Sequence, residues 1–353
     1  MIIFLGLIVL LSFLGIHKTR CRKNLNYDYM SLNMTNSIKG VFLCMVFLSH
    51  IQGYADFSNI YLDSPYQLVR RIMGQCVVVM FLFYSGYGIM ESIKAQGINY
   101  VNKIPRYRFA KVLLQFDAAI LLFWLYRYIT GARYGIKKMM LTFVGWDGIG
   151  NSNWYIFCIL WLYVFTYIAF KVFHQHIRSI AGLIILSILY MALVSKLGKE
   201  IWWYDTILCY AYGMLFSLYR QKIEKNINEN GKTWMFYIIT FSIGFLTTYL
   251  YKNQNILIYE AYIFCFVGMI VIFTMRYAID SKALQWIGKN LFELYILQRL
   301  PMMIFSRSLP SFTEGWNKYF YVVSCIGVTV LMAVVYKKTI SNIINKALHM
   351  QIL

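Results

Sequence analysis

Charged side chains are scarce in this sequence, and acidic side chains are the scarcest. Asp, Glu, Lys and Arg together make up 14% of the 353 residues, whereas 60% of the residues are hydrophobic. A soluble domain of this size would not contain so many apolar segments long enough to cross a bilayer. The composition therefore excludes an ordinary soluble protein and indicates a chain that crosses a membrane several times.

The shortage of acidic residues leaves a formal net charge of +20. Such a charge can indicate nucleic-acid binding, but here the basic residues occupy short segments between apolar runs. This is the distribution by which membrane proteins keep loops rich in Lys and Arg in the cytosol. We therefore expect a multi-pass protein that contacts lipids and binds no nucleic acid, with its N-terminus outside and its C-terminus in the cytosol.

No Cys-x-x-Cys pair occurs among the seven cysteines. Neither a zinc site nor a disulfide framework is indicated, and no metal is expected. The sequence also lacks a repeat of roughly 20–50 residues and a separate soluble domain. The predicted fold class is all-α, a polytopic transmembrane helical bundle with about 10–11 spans.

The first apolar run, residues 1–16, carries neither the basic start nor the small-residue cleavage site of a secretory signal peptide. Its basic residues follow it instead, at Lys18, Arg20, Arg22 and Lys23. We predict a transmembrane helix followed by a basic cytosolic loop.

A single imidazole lies well inside an apolar run, in the stretch from Lys39 to His50. In a helix, His50 would lie about 16 Å along the axis from Lys39. If Lys39 marks one membrane face, His50 lies deep in the bilayer or near the opposite face, where an ionisable group is costly and usually functional. A neutral imidazole can accept a proton from a hydroxyl group. The alternative is a histidine that hydrogen-bonds a neighbouring helix for packing.

Small residues follow aromatic ones in the third apolar run, at Phe81–Gly88. Ser85 and Gly86 would let a neighbouring helix approach closely, and we expect packing to be their main role. Tyr84 and Ser85 are also candidates for orienting a substrate. No Asp or His follows at a spacing that would make Ser85 a triad nucleophile.

Arg106, Arg108 and Lys111 lie in a strongly basic segment before the fourth apolar run. At a helix start, residues three apart share a face, so Arg108 and Lys111 would meet the same anion. The alternative is a cluster of charges that only fixes cytosolic placement.

Further polar and aromatic candidates lie in or near the later runs. Asp117 lies inside the fourth run and Arg299 inside the tenth, where each needs a partner. The Gly-rich segment 129–151 is long enough to fold over a site. Trp154 and Trp203 are candidates for stacking on a sugar, although an interfacial aromatic belt explains both equally well.

Four of these segments resemble signatures of the acyltransferase-3 family, integral membrane enzymes that O-acylate sugars. Lys39–His50 resembles the family's pattern of Arg-Gly, nine more residues and then His, and Phe81–Gly88 resembles its Phe-Phe-x-x-Ser-Gly-Tyr/Phe signature. Arg108–Lys111 resembles its Arg-x-x-Arg pattern. Segment 288–298 resembles its late signature, with Gln298 where His is common. Lys in place of Arg keeps the charge but loses the planar guanidinium fork.

We predict three parts: an N-terminal transmembrane helix and basic cytosolic loop at 1–38, an acyltransferase-3-like transmembrane domain at 39–340, and a short cytosolic tail at 341–353. The resemblance itself extends from Lys39 to about Pro301. It also implies a place in the cell membrane, a carbohydrate acceptor in the cell envelope and no bound cofactor. Acetyl-coenzyme A or another acyl-coenzyme A would be the co-substrate. His50 would act as general base with Lys39 as the second catalytic candidate, and Arg106, Arg108 and Lys111 would bind the donor.

Two alternatives from other functional classes stay open. A transporter or flippase of glycan intermediates would use Asp117, Glu260, Glu293 and Arg299 as intramembrane charges, but the inverted repeats and broken helices typical of transporters are not evident in the sequence. A non-catalytic assembly or sensor protein would be favoured only if His50 is dispensable.

Overall fold

The computed structural model describes residues 1–18, 29–59, 61–228 and 231–349. About 80% of the described residues are helical, which confirms the predicted all-α class. Two strands of three residues each, β1 Ile16–Lys18 and β2 Tyr277–Ile279, pair antiparallel. The basic loop predicted around 20–23 and the last residues of the predicted tail, 350–353, lie outside the described residues.

The α-helices of the described ranges follow one another in chain order. They are α1 Ile2–Leu14, α2 Leu32–Ile51, α3 Ser64–Met73, α4 Cys76–Gln96, α5 Ile98–Ile104, α6 Lys111–Ile129, α7 Ile136–Phe143, α8 Trp154–Val172, α9 His176–Lys196, α10 Leu208–Asn228, α11 Gly231–Tyr251, α12 Ile256–Thr274, α13 Lys282–Lys289, α14 Leu291–Leu297, α15 Arg299–Ser308, α16 Asn317–Tyr336 and α17 Asn342–Ala347.

Within the described ranges, eight helical segments are long and apolar enough to cross a membrane, fewer than the ten to eleven predicted. α1 has only 13 residues. The carboxyl half of α10 is polar, with Arg220, Lys222 and Lys225. α14 and α15 are short, with seven and ten residues, because one helical run is divided at Gln298. The missing spans thus correspond to apolar runs that do not form one long apolar helix.

α2, which carries the candidate imidazole, begins earlier than the sequence indicates. Ser31 caps it, because its Oγ accepts a hydrogen bond from the N–H of Met34 (3.3 Å). The helix therefore begins at Leu32 rather than at Lys39, and it ends at Ile51. Lys39 and His50 lie toward opposite ends of α2, and we call the two ends of the bundle the Lys39 end and the His50 end.

Pro105 alters the helix that carries the basic candidates. α5, a π-helical turn at Pro105–Ala110 and α6 form one continuous helical segment, Ile98–Ile129. Proline has no N–H to donate, and a shifted hydrogen-bond register accommodates it. The expectation that Arg108 and Lys111 lie at a helix start is therefore wrong, because both lie in the middle of this segment.

A second proline accompanies the break between α14 and α15. Pro301 cannot donate the hydrogen bond that the carbonyl of Leu297 would accept in a continuous helix. Gln298, between α14 and α15, nevertheless keeps helical backbone dihedrals and donates its N–H to the carbonyl of Leu294 (3.0 Å). Arg299 therefore lies within the bundle where one short helix follows directly on another.

Glycines let the central helices pack backbone against backbone. A Cβ on Gly40 would overlap the carbonyl of Leu284 on α13, and one on Gly86 would overlap the carbonyl of Tyr210 on α10. A Cβ on Gly213 of α10 would likewise overlap the carbonyl of Phe83 on α4. The packing role predicted for the small residues of the third run is thus what Gly86 performs.

Candidate active site

A cavity of about 360 Å³ opens between α2, α4, α8 and the π-helical turn, toward the Lys39 end. Its size is that of a small-ligand pocket. Four of the predicted site residues line it together, namely Lys39, Tyr84, Ser85 and Arg108. The remaining lining is mainly apolar and aromatic, contributed by Leu32, Phe81, Gly88, Ile89, Val112, Tyr155, Ile156, Ile159, Tyr163, Leu291 and Phe292.

Two cations face this cavity with much of their hydrogen-bonding capacity unused. Lys39 is half-buried and, within the described part of the chain, has no hydrogen bond or ion pair. Arg108 donates from Nε to the hydroxyl of Tyr100 (2.9 Å), which leaves its two terminal nitrogens for a ligand. The cavity is therefore suited to an anion with an apolar or aromatic neighbour.

The other two basic candidates lie elsewhere. Arg106 is exposed and is not among the lining residues; its guanidinium lies 6.0 Å from the ring of Tyr107. Lys111 is also absent from the lining and lies where the charges of Arg108, Glu293 and Lys337 act on it. The structure thus brings Lys39 and Arg108 together and leaves Arg106 outside the group.

Aromatic rings connect the cavity to the His50 end. Tyr155, in the cavity wall, packs edge-on against Tyr295 with ring centroids 5.5 Å apart. Tyr295 in turn lies 6.1 Å from the imidazole of His50, centroid to centroid. His50 itself does not line the cavity, so two tyrosine rings separate the imidazole from the two cations.

His50 is surrounded by polar groups rather than by a purely apolar shell. Its side chain is half-buried, and its Nδ1 is buried without a hydrogen-bond partner. The hydroxyl of Tyr295 lies beside Ser152 Oγ, yet neither makes a hydrogen bond of good geometry. The guanidinium of Arg299 is close enough for its charge to act on both His50 and Tyr295. Buried polar atoms normally have partners, so these groups have hydrogen-bonding capacity for a bound water or a ligand.

The loop between α7 and α8 closes this end of the site. Asn151 and Ser152 are 4% exposed, and Asn151 accepts through its carbonyl a hydrogen bond from Nη1 of Arg299 (3.3 Å). Gly150, with φ of +115°, turns the chain against Met303 of α15, where most side chains would be strained. The Gly-rich segment that the sequence marked as long enough to cover a site therefore does reach into the bundle.

Charged contacts fix the outer part of the same loop. Lys138 Nζ lies 2.6 Å from Asp147 Oδ1. Burial alone would raise the pKa of Asp147, but this ion pair and the N–H of Gly148 hold it below its usual value. Lys199 Nζ lies over the rings of Trp146 and Trp203, at 4.2 and 4.1 Å from their centroids.

Trp203, Trp154 and Asp117 do not join the His50 cluster. Trp203 is 5% exposed and packs on Trp146 and Lys199, so it offers no open face to a sugar. Trp154 is half-buried and packs edge-on against Tyr155, with ring centroids 5.9 Å apart. Asp117 is half-buried on α6, and its Oδ1 is buried without a partner, away from the cavity lining.

Sequence reasoning missed three residues of this site. Tyr295 carried a signal, because it occupies the Tyr position of the late signature, but Asn151 and Ser152 carried none beyond the glycines near them. Among the described residues, no group of three or more His, Cys, Asp or Glu side chains is placed to hold a metal ion.

Comparison with known proteins adds one finding. The family model of acyltransferase-3, described as an acyltransferase domain, matches residues 35–337. No curated protein matches the chain, and no solved structure matches it. The matched range begins at the second turn of α2 and ends just after α16, so it contains the cavity, His50, Tyr295 and Arg299.

Proposed function

This chain belongs to the acyltransferase-3 family of membrane acyltransferases, and we propose that it moves an acyl group from a cytosolic acyl-coenzyme A to a hydroxyl of an extracytoplasmic or lipid-linked carbohydrate. Acetyl is the acyl group we propose. His50 is the general base, and Lys39 with Arg108 holds the donor at the opposite end of the site.

The observation that carries the proposal is that α2 bears one cation and one imidazole at two separate positions along its length. One helix places Lys39 on a basic cavity with Arg108, and places His50 among unpartnered polar groups toward its other end. Phosphate oxygens of a coenzyme A suit two cations with free donors. The apolar and aromatic wall of the cavity suits the uncharged arm that ends in the thioester.

The chemistry follows from this arrangement. The acceptor hydroxyl gives its proton to the neutral ring of His50 while its oxygen forms a bond to the thioester carbonyl carbon. Collapse of the tetrahedral intermediate breaks the carbon–sulfur bond, and the proton passes from the imidazolium to the departing thiolate. We assign oxyanion stabilisation to the hydroxyl of Tyr295, whose ring lies 6.1 Å from the imidazole of His50, centroid to centroid.

The first prediction concerns the base. Replacing His50→Gln removes the proton acceptor at similar size, so we expect acyl transfer to fall about 10²- to 10⁴-fold. The measurement is mass spectrometry of surface glycans from cells that express each variant, scored by the mass of one acyl group. His176→Gln is the matched control, because His176 is exposed at the start of α9.

Expression level and detergent elution profile of the His50→Gln protein separate loss of chemistry from loss of fold. Full acylation by a correctly inserted His50→Gln protein would exclude the imidazole as base. An unchanged glycan acyl pattern in cells that lack the gene would count against acyl transfer to surface glycans and favour transport of glycan intermediates.

A further inference from the structure

The cationic group of Arg299 faces the candidate acceptor site without a carboxylate. Among the described residues, no Asp or Glu oxygen lies within the 4.0 Å that defines an ion pair with its guanidinium. Its one hydrogen bond goes from Nη1 to the carbonyl of Asn151, and its Nε is buried without a partner. A guanidinium inside a membrane protein is costly when it has no counter-charge.

Two further side chains with unused hydrogen-bonding groups belong to the residue that Arg299 contacts and to its neighbour in the chain. Asn151 Nδ2 and Ser152 Oγ are buried without partners, on the loop that Arg299 contacts. Both residues are 4% exposed, so bulk water does not satisfy them. The side-chain oxygen of Asn151 is already used, because it accepts a hydrogen bond from the N–H of Ile149 (2.9 Å). The free groups are therefore the amide N–H₂ of Asn151, which only donates, and the hydroxyl of Ser152, which is able to donate to an anion.

The full charge of Arg299 and the free side-chain donors together point to an anion. A transition-state oxyanion exists only during the reaction, so it does not compensate the charge of Arg299 between turnovers.

We propose that Arg299, Asn151 and Ser152 form a recognition site for a carboxylate or phosphate group of the acceptor, next to His50. The inference rests on the proposed function, since it names the acceptor class of that reaction. It makes the acceptor an acidic sugar or a sugar on a phosphate-bearing lipid, rather than a neutral glycan. Arg299 is then a specificity-determining residue.

Binding of matched probes tests the site without requiring catalysis. The protein is placed in nanodiscs of uncharged phosphatidylcholine, and dissociation constants are measured for 4-nitrophenyl glucoside, glucuronide and glucoside 6-phosphate, and for geranylgeranyl diphosphate. We expect an anionic probe to bind about 10- to 100-fold more tightly than the glucoside. Arg299→Gln should remove this preference, and Arg299→Lys should retain part of it.

Arg307→Gln is the matched control, because Arg307 is exposed on the same helix. Preference for the glucuronide or sugar phosphate assigns the anion to the sugar, whereas preference for geranylgeranyl diphosphate assigns it to the lipid carrier. Equal binding of all four probes, or a preference that survives Arg299→Gln in a folded protein, overturns the proposal. His50→Gln should keep the preference. If it does so while no acyl transfer is found, the anion site stands and the proposed reaction fails.

Discussion

At the scale of single residues, position relative to the cavity distinguishes cations that look alike in the sequence. Arg106 and Arg108 are two residues apart, yet only Arg108 lines the cavity, and Arg106 is exposed. Lys39 faces the same cavity from α2. Under the proposed function, a basic residue of the π-helical turn contributes to donor binding only if it projects toward the cavity.

This difference yields a prediction for the donor. Arg108→Ala should raise the Michaelis constant for acyl-coenzyme A by about 10-fold or more, because a charge-assisted hydrogen bond contributes about 1.5–3 kcal/mol. Arg106→Ala should leave this constant close to that of the natural protein. Initial rates at varied donor concentration, in detergent or nanodiscs, supply the measurement. Equal effects of the two substitutions would show that general positive charge, not the cavity, attracts the donor.

At the scale of elements, close backbone contacts hold the helices that form the site. α4 and α10 meet at Gly86 and Gly213. Each glycine lies so close to a carbonyl of the other helix that a Cβ there would overlap it. α2 and α13 meet in the same way at Gly40. These contacts position Tyr84 and Ser85 on one wall of the cavity and Lys39 on another.

Two glycines of α4 give a matched test. Gly86→Ala forces α4 and α10 apart, and we expect a destabilisation of about 1–3 kcal/mol or more, typical of overpacking. Gly88→Ala is the control, because nothing lies within 4 Å of a Cβ at that position. The measurement is thermal unfolding of the two purified variants beside the natural protein. A Gly86→Ala protein as stable as the Gly88→Ala protein would contradict the packing described for this pair.

At the scale of the whole molecule, the proposed reaction requires a fixed orientation in the membrane. The donor end, at Lys39 and Arg108, must face the cytosol, and the loop with Asn151 and Ser152 must face the outside. α1 and α2 are joined at the Lys39 end, where β1 pairs with β2. Lys137 and Lys138 lie in a segment that this orientation puts outside, whereas basic residues usually collect in cytosolic loops. The orientation is therefore tested separately.

Reporter fusions supply that test. Alkaline phosphatase, which is active outside the cytosol, should be active when inserted after Gly131 and inactive when fused after Lys346. Green fluorescent protein, which fluoresces in the cytosol, should show the reverse. Both sites lie outside the helices that line the cavity. Phosphatase activity at the Lys346 site would invert the orientation and rule out a cytosolic donor at Lys39.

The long apolar runs, separated by short charged segments, determined the all-α class, because a long apolar segment crosses a bilayer most readily as a helix. Segments such as Lys39–His50 and Phe81–Gly88 predicted the family, which the family model confirms, and the first of them supplied the candidate base. The tertiary structure alone decided which of the basic residues share a cavity, since helical faces become distinguishable only when the π-helical turn and the helix packing are known. It alone brought Asn151 and Ser152 to Arg299, because contacts between residues almost 150 positions apart arise from how the loop folds back, which no local pattern encodes.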